Sequence, residues 1–397
     1  MELLKVHNVD SEGLEPQVIV KVPGISRYVG SFADSSNGVA FCSTNGLALY
    51  IALSKRTDGV VYCTNCLTGE HRKFQLGAIK YKKEDRWSNY IKGVLDSTFP
   101  QIKNFQGMTV TLEGTILQSN NDMVRSAITV GMLHAVNRLF KLGMEQDKLE
   151  QLAFNVFTSF CIETVPYINV LAMMNLKQNT FAVIDTEHAQ CTVLENTFKP
   201  ASSKKNADGY TILIADGKIP VAPMREELGK IKESLDKAMD NFRTSLRKSG
   251  FRNMDASEIN EDDNGLTSEN RRLCLYLYDE YKCASQIEGF ITNKDAEGLG
   301  RCFNKIQKGF RENLELVCPE IDWLVKRATE MSTCTGACMV SNGLGGAVAL
   351  VINNSEYEAF STKLQDYERI FGFKSHVYPL ECSNKLQFLS TDNACFK

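Results

Sequence analysis

The sequence has 397 residues, of which 43% are hydrophobic and 23% are charged, and its formal net charge is -3. This length is sufficient for two domains that each bury a core, and the mixed charge excludes the basic surface typical of proteins that bind nucleic acid or anionic membranes. No apolar run approaches the ~20 residues that a bilayer span requires.

The 13 cysteines are scattered through apolar segments and are not ordered in a disulfide framework. Cys63 and Cys66 form a CxxC, a pattern used in zinc and redox sites, but no second pair completes a four-ligand site, so a structural role is favoured. The N-terminal segment lacks the basic, apolar and cleavage regions of a secretory signal. We therefore expect a cytoplasmic protein without a metal site built from its own residues.

The first part of the chain predicts short strands followed by helices. Three β-rich stretches are separated by turn residues: QVIVKV, GVVYCTN and KFQLGAIKY. The apolar spacing of EDRWSNYIKGVL then predicts a helix. The strand GMTVTLEGTIL, the polar loop QSNND and a helix from Met123 through Met144 follow. A strand, loop and helix in this order is a common place for a ligand.

A change in composition near residue 200, where the polar stretch KPASSKKNADG occurs, predicts two lobes, 1–200 and 201–397. The second lobe is expected to begin with the strand YTILIAD. Long helices are predicted at about 224–250 and 268–288, and the acidic stretch SEINEDDNG between them is predicted to be a solvated loop. The glycine-rich turn SNGLGG precedes a last long strand, GGAVALVIN.

Four segments, in one order and with agreeing spacing, carry the motifs of a known enzyme family. Pro23 to Gly38, PGISRYVGSFADSSNG, resembles the pattern PGRxNLIGEHTDYNGG, and Trp87 to Val94, WSNYIKGV, resembles WxNYxKGV. Val317 to Asp322, VCPEID, resembles SCPELD, and Gly336 to Gly346, GACMVSNGLGG, resembles GARMTGGGFGG. The chain thus resembles the galactokinases of the GHMP small-molecule kinase family. The resemblance implies an α+β fold of two lobes, with a cleft in which ATP phosphorylates the anomeric hydroxyl of galactose.

Two positions at which the family has catalytic groups carry residues of different chemistry. The family's Arg after Pro-Gly helps to neutralise phosphoryl charge, and the matching residue is Ile25. Arg27 lies two positions further on, on the same face of an extended segment. A carboxylate in the family's GIMDQ segment accepts or orients the sugar proton. Counting back from Asp185 places this position at Asn169, and an amide cannot act as that base.

The sugar-binding stretch is also changed. The Glu, His and Asp of the family's EHTD segment correspond to Ser31, Phe32 and Asp34, so only the Asp is retained. The resemblance therefore implies sugar binding by Asp34. Phe32 is an aromatic residue beside apolar strands, and we expect it to belong to the core.

The phosphate loop has changed most. Where the family has PLGAGLSSSA, with small residues that admit phosphate, this chain has LQSNNDMVRSA. The resemblance implies nucleotide contacts at Ser119, Asn120, Asn121, Arg125 and, in the later glycine-rich turn, Gly343. Asp122, expected just before the helix, is suited to cap its free amides in place of a phosphate. ATP and magnesium are the cofactors that the family implies, and the altered loop predicts weaker binding of both.

Three hypotheses about function follow from these substitutions. Loss of both catalytic groups favours a galactokinase-like pseudokinase that binds a sugar or nucleotide, or acts as a regulator with a protein partner. The alternative is an active galactokinase with relocated groups, in which the candidates are Arg27, Asp34, Arg125 and Asp185. A third hypothesis is a structural protein whose cleft is filled by side chains such as Phe32 and Met123.

Overall fold

The computed structural model describes residues 2–75, 77, 79–116, 121–199, 209–219, 225–241, 252, 254–261, 266–340 and 346–392. The strands are β1 (Val18–Val29), β2 (Val39–Lys55), β3 (Val60–Asn65), β4 (Glu70–Gln75), β5 (Gly107–Gly114), β6 (Thr180–Asp185), β7 (Gln190–Glu195), β8 (Tyr210–Asp216), β9 (Gly336–Met339), β10 (Ala347–Asn353), β11 (His376–Pro379) and β12 (Gln387–Leu389).

The α-helices are α1 (Leu3–Asp10), α2 (Ala33–Ser36), α3 (Ser88–Thr98), α4 (Asn121–Leu139), α5 (Gln146–Asn155), α6 (Tyr167–Asn175), α7 (Arg225–Asn241), α8 (Ala256–Asn260), α9 (Ser268–Ala284), α10 (Ile287–Thr292), α11 (Ala296–Glu312), α12 (Pro319–Thr329) and α13 (Tyr357–Phe371). Together with the sheets they confirm the predicted α+β class. In the described part of the chain, none of these helices has the length and apolar character to cross a membrane.

Contacts within the chain divide it into two compact units that are interleaved in sequence. Unit 1 comprises Met1–Ile25, Thr44–Gln178 and Ser383–Lys397, and unit 2 comprises Ser26–Ser43 and Asn179–Cys382. The divisions fall inside β1 and β2, so each of these strands contributes to both units. The lobes predicted from composition, 1–200 and 201–397, are continuous in sequence and stay a prediction.

The sheet of unit 1 supports a layer of helices. Strand β5 lies between β2, to which it is antiparallel with Leu49 opposite Gly114, and β3, to which it is parallel. Helix α4 packs against α3, α5 and α6. It approaches the sheet closely because Gly131 has no side chain: a Cβ there would lie 2.6 Å from Ile51 Cδ1 and 2.7 Å from Val22 Cγ2. This close approach fixes the position of the helix whose first turn carries candidate nucleotide-binding residues.

The core of unit 2 lies between helices and an antiparallel sheet with the strand order β11-β8-β10-β9. In the centre of this sheet Leu350 of β10 is opposite Leu213 of β8, and both are fully buried. Helix α11 packs against β9 at two glycines, because a Cβ at Gly336 would lie 2.0 Å from the carbonyl oxygen of Gly300. Helices α11 and α12 both pack against β9 and β10.

The helix predicted to extend to Met144 ends earlier, at Leu139. Lys141 has φ 53° and Gly143 has φ 66°, and left-handed residues of this kind end a helix. Of the helix predicted at about 224–250, α7 covers the first part, and residues 242–250 lie outside the described part of the chain. The helix predicted at about 268–288 is divided into α9 and α10.

The acidic stretch SEINEDDNG, predicted to be a loop, begins in helix α8. The prediction of a loop was wrong for this part because Asp255 and Glu258 form a capping box, in which the Asp255 N–H donates to Glu258 Oε2 at 3.0 Å. Ile259 is fully buried and anchors the short helix. Residues 262–265 lie outside the described residues.

Candidate functional site

The first candidate position, Ile25, lies near the end of the unit 1 part of β1. Its side chain is buried, and its backbone N–H donates to Met123 Sδ at 3.3 Å. Met123 is itself buried in the first turn of α4, so this contact joins the first motif to the start of the altered phosphate loop helix. At the position predicted to match the family's arginine, the side chain is therefore apolar and buried, and the backbone N–H is bound by the thioether of Met123.

Arg27 and Asp34, which belong to unit 2, form an ion pair. Arg27 Nη2 donates to Asp34 Oδ2 at 2.9 Å, and the two side chains are 4% and 13% exposed. Arg27 Nη1 also donates to the carbonyl oxygen of Ser31 at 3.4 Å. Asp34, predicted to bind the sugar, and Arg27, the candidate substitute catalytic group, thus neutralise each other.

The segment that replaces the family's EHTD is held by an acid that the sequence reasoning missed. Glu280 of α9 is buried, and its Oε1 accepts hydrogen bonds from the N–H groups of Gly30 at 3.0 Å and Ser31 at 2.8 Å. The hydroxyl of Tyr276 donates to the same oxygen at 2.7 Å. Burial raises the pKa of Glu280, while these hydrogen bonds oppose the shift. The one sequence signal for this role is an acid on an otherwise apolar helix face.

Phe32 lies in the hydrophobic core of unit 2, as predicted. Its ring meets that of Tyr276 edge to face, with the ring centroids 6.3 Å apart. Because its body is buried among core residues, Phe32 fixes the segment that carries Asp34.

At the start of α4, Arg125 is held by two carboxylates of unit 1. Its Nε donates to Asp122 Oδ1 at 2.9 Å and its Nη1 to Glu163 Oε2 at 2.8 Å. The guanidinium is 5% exposed and lies 5.0 Å from the ring centroid of Phe157, whereas Asp122 and Glu163 are 39% and 33% exposed. Burial lowers the pKa of Arg125, but the two carboxylates outweigh this and raise it above its ordinary value.

The placement of Asp122 differs from the expectation that it precedes the helix. Because α4 begins at Asn121, Asp122 lies within the first turn, and its carboxylate binds Arg125. A negative charge in the first turn still complements the helix dipole. Ser119, Asn120 and Gly343 lie outside the described residues, so their predicted nucleotide contacts stay predictions.

Asn169 is buried in α6, the helix that packs against α4. Pro166 precedes this helix, and the ring of Tyr167 at its start packs on Phe154 with the centroids 4.9 Å apart. The amide at this position has no ionised form at neutral pH and cannot take up a proton from a sugar hydroxyl. Its assignment to the position of the family's carboxylate stays a prediction.

Asp185, the last candidate for a relocated group, lies at the end of β6 in unit 2 and is also paired. Arg252 Nη1 donates to its Oδ2 at 2.9 Å, and His188 Nδ1 lies 3.0 Å from the same oxygen. Burial raises the pKa of Asp185, but the hydrogen bonds from Arg252 and His188 outweigh this and lower it. The carboxylate therefore anchors Arg252, whose guanidinium also binds the carbonyl oxygen of Asn37.

A magnesium ion does not fit the described residues at the start of α4, because the Arg125 guanidinium binds both carboxylates, offsets one of their two negative charges and occupies the oxygens that a cation would need. Among the residues that the structure describes, no three His, Cys, Asp or Glu side chains come together in a way that could hold a metal. Cys63 of the CxxC is fully buried in β3, and burial raises the pKa of Cys66 to about 11. Both observations favour the structural role predicted for this pair.

The fold is that of the GHMP kinases. The structure matches that of Lactococcus lactis galactokinase complexed with galactose with a TM-score of 0.82, at 17% identity, covering 98% of this chain and 100% of that chain. It matches Methanococcus jannaschii mevalonate kinase with a TM-score of 0.55, at 14% identity, covering 92% of this chain and 98% of that chain.

The sequence comparisons agree with the galactokinase motifs. A Treponema pallidum protein provisionally named a galactokinase is 24% identical over 395 residues, covering 98% of this chain and 97% of the relative. A galactokinase of Clostridium perfringens is 21% identical over 396 residues, covering 97% and 99%. No family model matches the sequence. Together, these similarities support assignment of the chain to the galactokinase/GHMP kinase family.

Proposed function

We propose that this chain is a galactokinase-like protein with strongly impaired phosphoryl transfer that acts by binding a sugar. The observation that carries the proposal is the replacement of the family's arginine by the buried Ile25, while the nearby Arg27 is paired with Asp34. Loss of a charge-stabilising arginine slows comparable phosphoryl transfers by ~10³-fold or more. Loss of a general base slows catalysis by roughly 10²- to 10⁴-fold, and the two effects are not additive.

The sugar is proposed to be galactose or a related hexose. The similar structure from Lactococcus lactis was solved with galactose, and Asp34 is the retained residue of the family's sugar-binding stretch. A carboxylate has about four lone-pair sites, so a sugar hydroxyl can bind Asp34 while Arg27 remains on Oδ2. Arg27 then orients the Asp34 carboxylate as the hydrogen-bond acceptor for the sugar hydroxyl.

Nucleotide binding is proposed to be weaker than in an active kinase. The family implies ATP as a cofactor, but Arg125 is already engaged by Asp122 and Glu163. A triphosphate would have to compete with both carboxylates for this guanidinium and would also meet their negative charge. A cytoplasmic location is part of the proposal, because the described cysteines are free thiols, as is usual in a reducing compartment.

The alternative of an active kinase with relocated groups receives less support. Each of its four candidates has a charged partner within its own unit: Arg27 with Asp34, Arg125 with Asp122 and Glu163, and Asp185 with Arg252. A substitute catalytic role would require the partner to be displaced first. That requirement favours a structural use of these charges.

Isothermal titration of the purified protein with galactose tests the proposed binding. We expect galactose to bind and Asp34→Asn to weaken it at least tenfold, since a hydrogen bond to a charged group contributes roughly 1.5–3 kcal/mol. Asp366→Asn, at an exposed position of α13, is the matched control and should bind as the unmodified protein does. Thermal melts of both variants verify folding.

Two results would overturn the proposal of sugar binding. One is the absence of heat with millimolar galactose for the unmodified protein. The other is equal affinity in Asp34→Asn and the control, which would place any binding away from the family's sugar-binding stretch.

A further inference from the structure

A groove in unit 2 lies between α11 and α12 and is separate from the positions discussed above. Its volume is about 760 Å³, within the range of roughly 300–1,000 Å³ typical of small-molecule sites. The residues used below are among those that line it: Gln307, Lys308, Arg311, Asp322, Trp323 and Lys326. One wall begins with the VCPEID motif at Val317 to Asp322, to which the proposed function gives no role.

Each of the two helices presents one face to this groove. On α11, positions 304, 307, 308 and 311 follow the i, i+3, i+4, i+7 spacing of a single helix face. On α12, positions 322, 325, 326 and 329 repeat the same spacing. The lining is therefore continuous along both helices and mixes amide, cationic and aromatic groups.

Gln307 supplies the observation that points to a ligand. Its side chain is 4% exposed, and its Nε2 is a buried donor without an acceptor among the residues that the structure describes. The orientation of the amide is fixed, because the N–H of Met339 donates to Oε1 at 2.9 Å. Leaving a buried donor unsatisfied costs roughly 1–3 kcal/mol, which an acceptor atom on a bound ligand would recover.

The charge of the lining selects an anion. Lys308, Arg311 and Lys326 face the groove together with a single acid, Asp322, which binds Arg311. Lys308 has only a distant ion pair with Glu312, at 3.7 Å. Lys326 makes no ion pair within the described ranges of the chain. Lys326 thus remains for a ligand after the internal pairing is counted, and Lys308 can exchange its long, exposed pairing with Glu312 for a ligand anion.

We propose that this groove binds the phosphate monoester of a small sugar or nucleoside. Lys308 and Lys326 attract the phosphate, Gln307 Nε2 donates to an oxygen of the ligand, and the half-buried ring of Trp323 packs against its sugar or base. The volume exceeds what inorganic phosphate alone would fill. This site does not depend on sugar binding by Asp34.

Titration calorimetry with AMP, galactose 1-phosphate and inorganic phosphate tests the site. We expect at least one ester to bind more tightly than inorganic phosphate, and the tighter ester identifies the ring as base or sugar. The Lys308→Gln/Lys326→Gln variant should bind it about tenfold more weakly and should lose most of the salt dependence. Gln307→Glu keeps the acceptor for Met339, removes the donor and should also weaken binding about tenfold.

Lys148→Gln, at an exposed position of α5 in unit 1, is the matched control and should bind the ester as the unmodified protein does. Equal affinity of the control and the double lysine variant would overturn the proposal, since binding would then lie elsewhere. Failure of both esters to bind, or binding of inorganic phosphate as tight as that of the esters, would also overturn it. Galactose binding is tested with Asp34→Asn, and ester binding is tested with the lysine and Gln307 variants. Failure of one proposed site is therefore distinguishable from failure of the other.

Discussion

Arg27 in unit 2 and Arg125 in unit 1 are both almost fully buried, but their carboxylate partners differ in solvent exposure. Arg27 binds one carboxylate, Asp34, which is itself largely buried. Arg125 binds Asp122 and Glu163, each about one-third exposed. Both arginines lie in segments that the sequence predicts to correspond to substrate-handling motifs, and both are engaged by carboxylates of the protein itself. We therefore expect the two ion pairs to contribute differently to stability, because water reaches the partners of Arg125 and largely not that of Arg27.

The largest effect is expected for Arg27→Met. Removing the arginine leaves the Asp34 carboxylate buried without its ion-pair partner, and breaking such a pair typically costs roughly 3–5 kcal/mol. Urea denaturation measures the loss in the free energy of unfolding. The double variant Arg27→Met/Asp34→Leu should recover most of it, because removing both charges of a buried pair is often nearly neutral. If Arg27→Met lowers the free energy of unfolding by less than about 1 kcal/mol, the value typical of an exposed ion pair, then Arg27 does not stabilise the fold.

A buried neutral group in unit 1 provides a contrast with these charged pairs. His7 is fully buried between the hydroxyls of Thr111 and Ser54, and burial lowers its pKa from 6.5 to about 4. The unfolded chain therefore binds a proton at a higher pH than the folded chain, so stability is complete above pH 6.5 and falls as the pH decreases towards 4. We expect roughly 3 kcal/mol of pH-dependent stability from this residue.

Urea denaturation of His7→Gln between pH 7 and pH 4 isolates this contribution. The difference in unfolding free energy between the unmodified protein and His7→Gln should decrease with falling pH. His376→Gln, at an exposed histidine of β11, is the control. A pH profile of His7→Gln parallel to that of the unmodified protein would contradict the expectation.

The smallest effect is expected for Arg125→Met, which should cost about 2 kcal/mol. The partly exposed carboxylates of Asp122 and Glu163 regain water when the arginine is removed, so the penalty is lower than for Arg27. Arg301→Met, whose ion pair with Glu297 is exposed at both ends, provides the baseline. If Arg125→Met proves more destabilising than Arg27→Met in the same denaturation experiment, partner exposure does not control the energy of these pairs.

The sequence predicted the fold class and the family well, because four motifs with agreeing spacing define the order of the elements. It also predicted correctly that Phe32 belongs to the core, because a large aromatic side chain beside apolar strands is usually buried. Composition gave no sign of the interleaved units, because contacts between distant segments define them.

The partners of the candidate site residues could not be predicted. Glu280 lies far along the chain from Gly30 and Ser31, and Glu163 lies far from Arg125, so no local pattern joins them. The predicted position of Asp122, just before α4, was wrong because α4 begins at Asn121. Sequence patterns do not define a helix start to within one residue, and that one residue separates a capping position from the first turn. The identity of Ile25 was visible in the sequence, but its contact with Met123 was not.

We propose that these substitutions leave a protein that binds a sugar and has little catalytic activity. Mass spectrometry of galactose 1-phosphate, after incubation of concentrated protein with galactose and magnesium-ATP, tests it most directly, with an active galactokinase as a parallel control. We expect no sustained formation of product beyond a blank. Multiple turnovers that disappear in Asp34→Asn would contradict the claim and establish an active kinase with relocated catalytic groups.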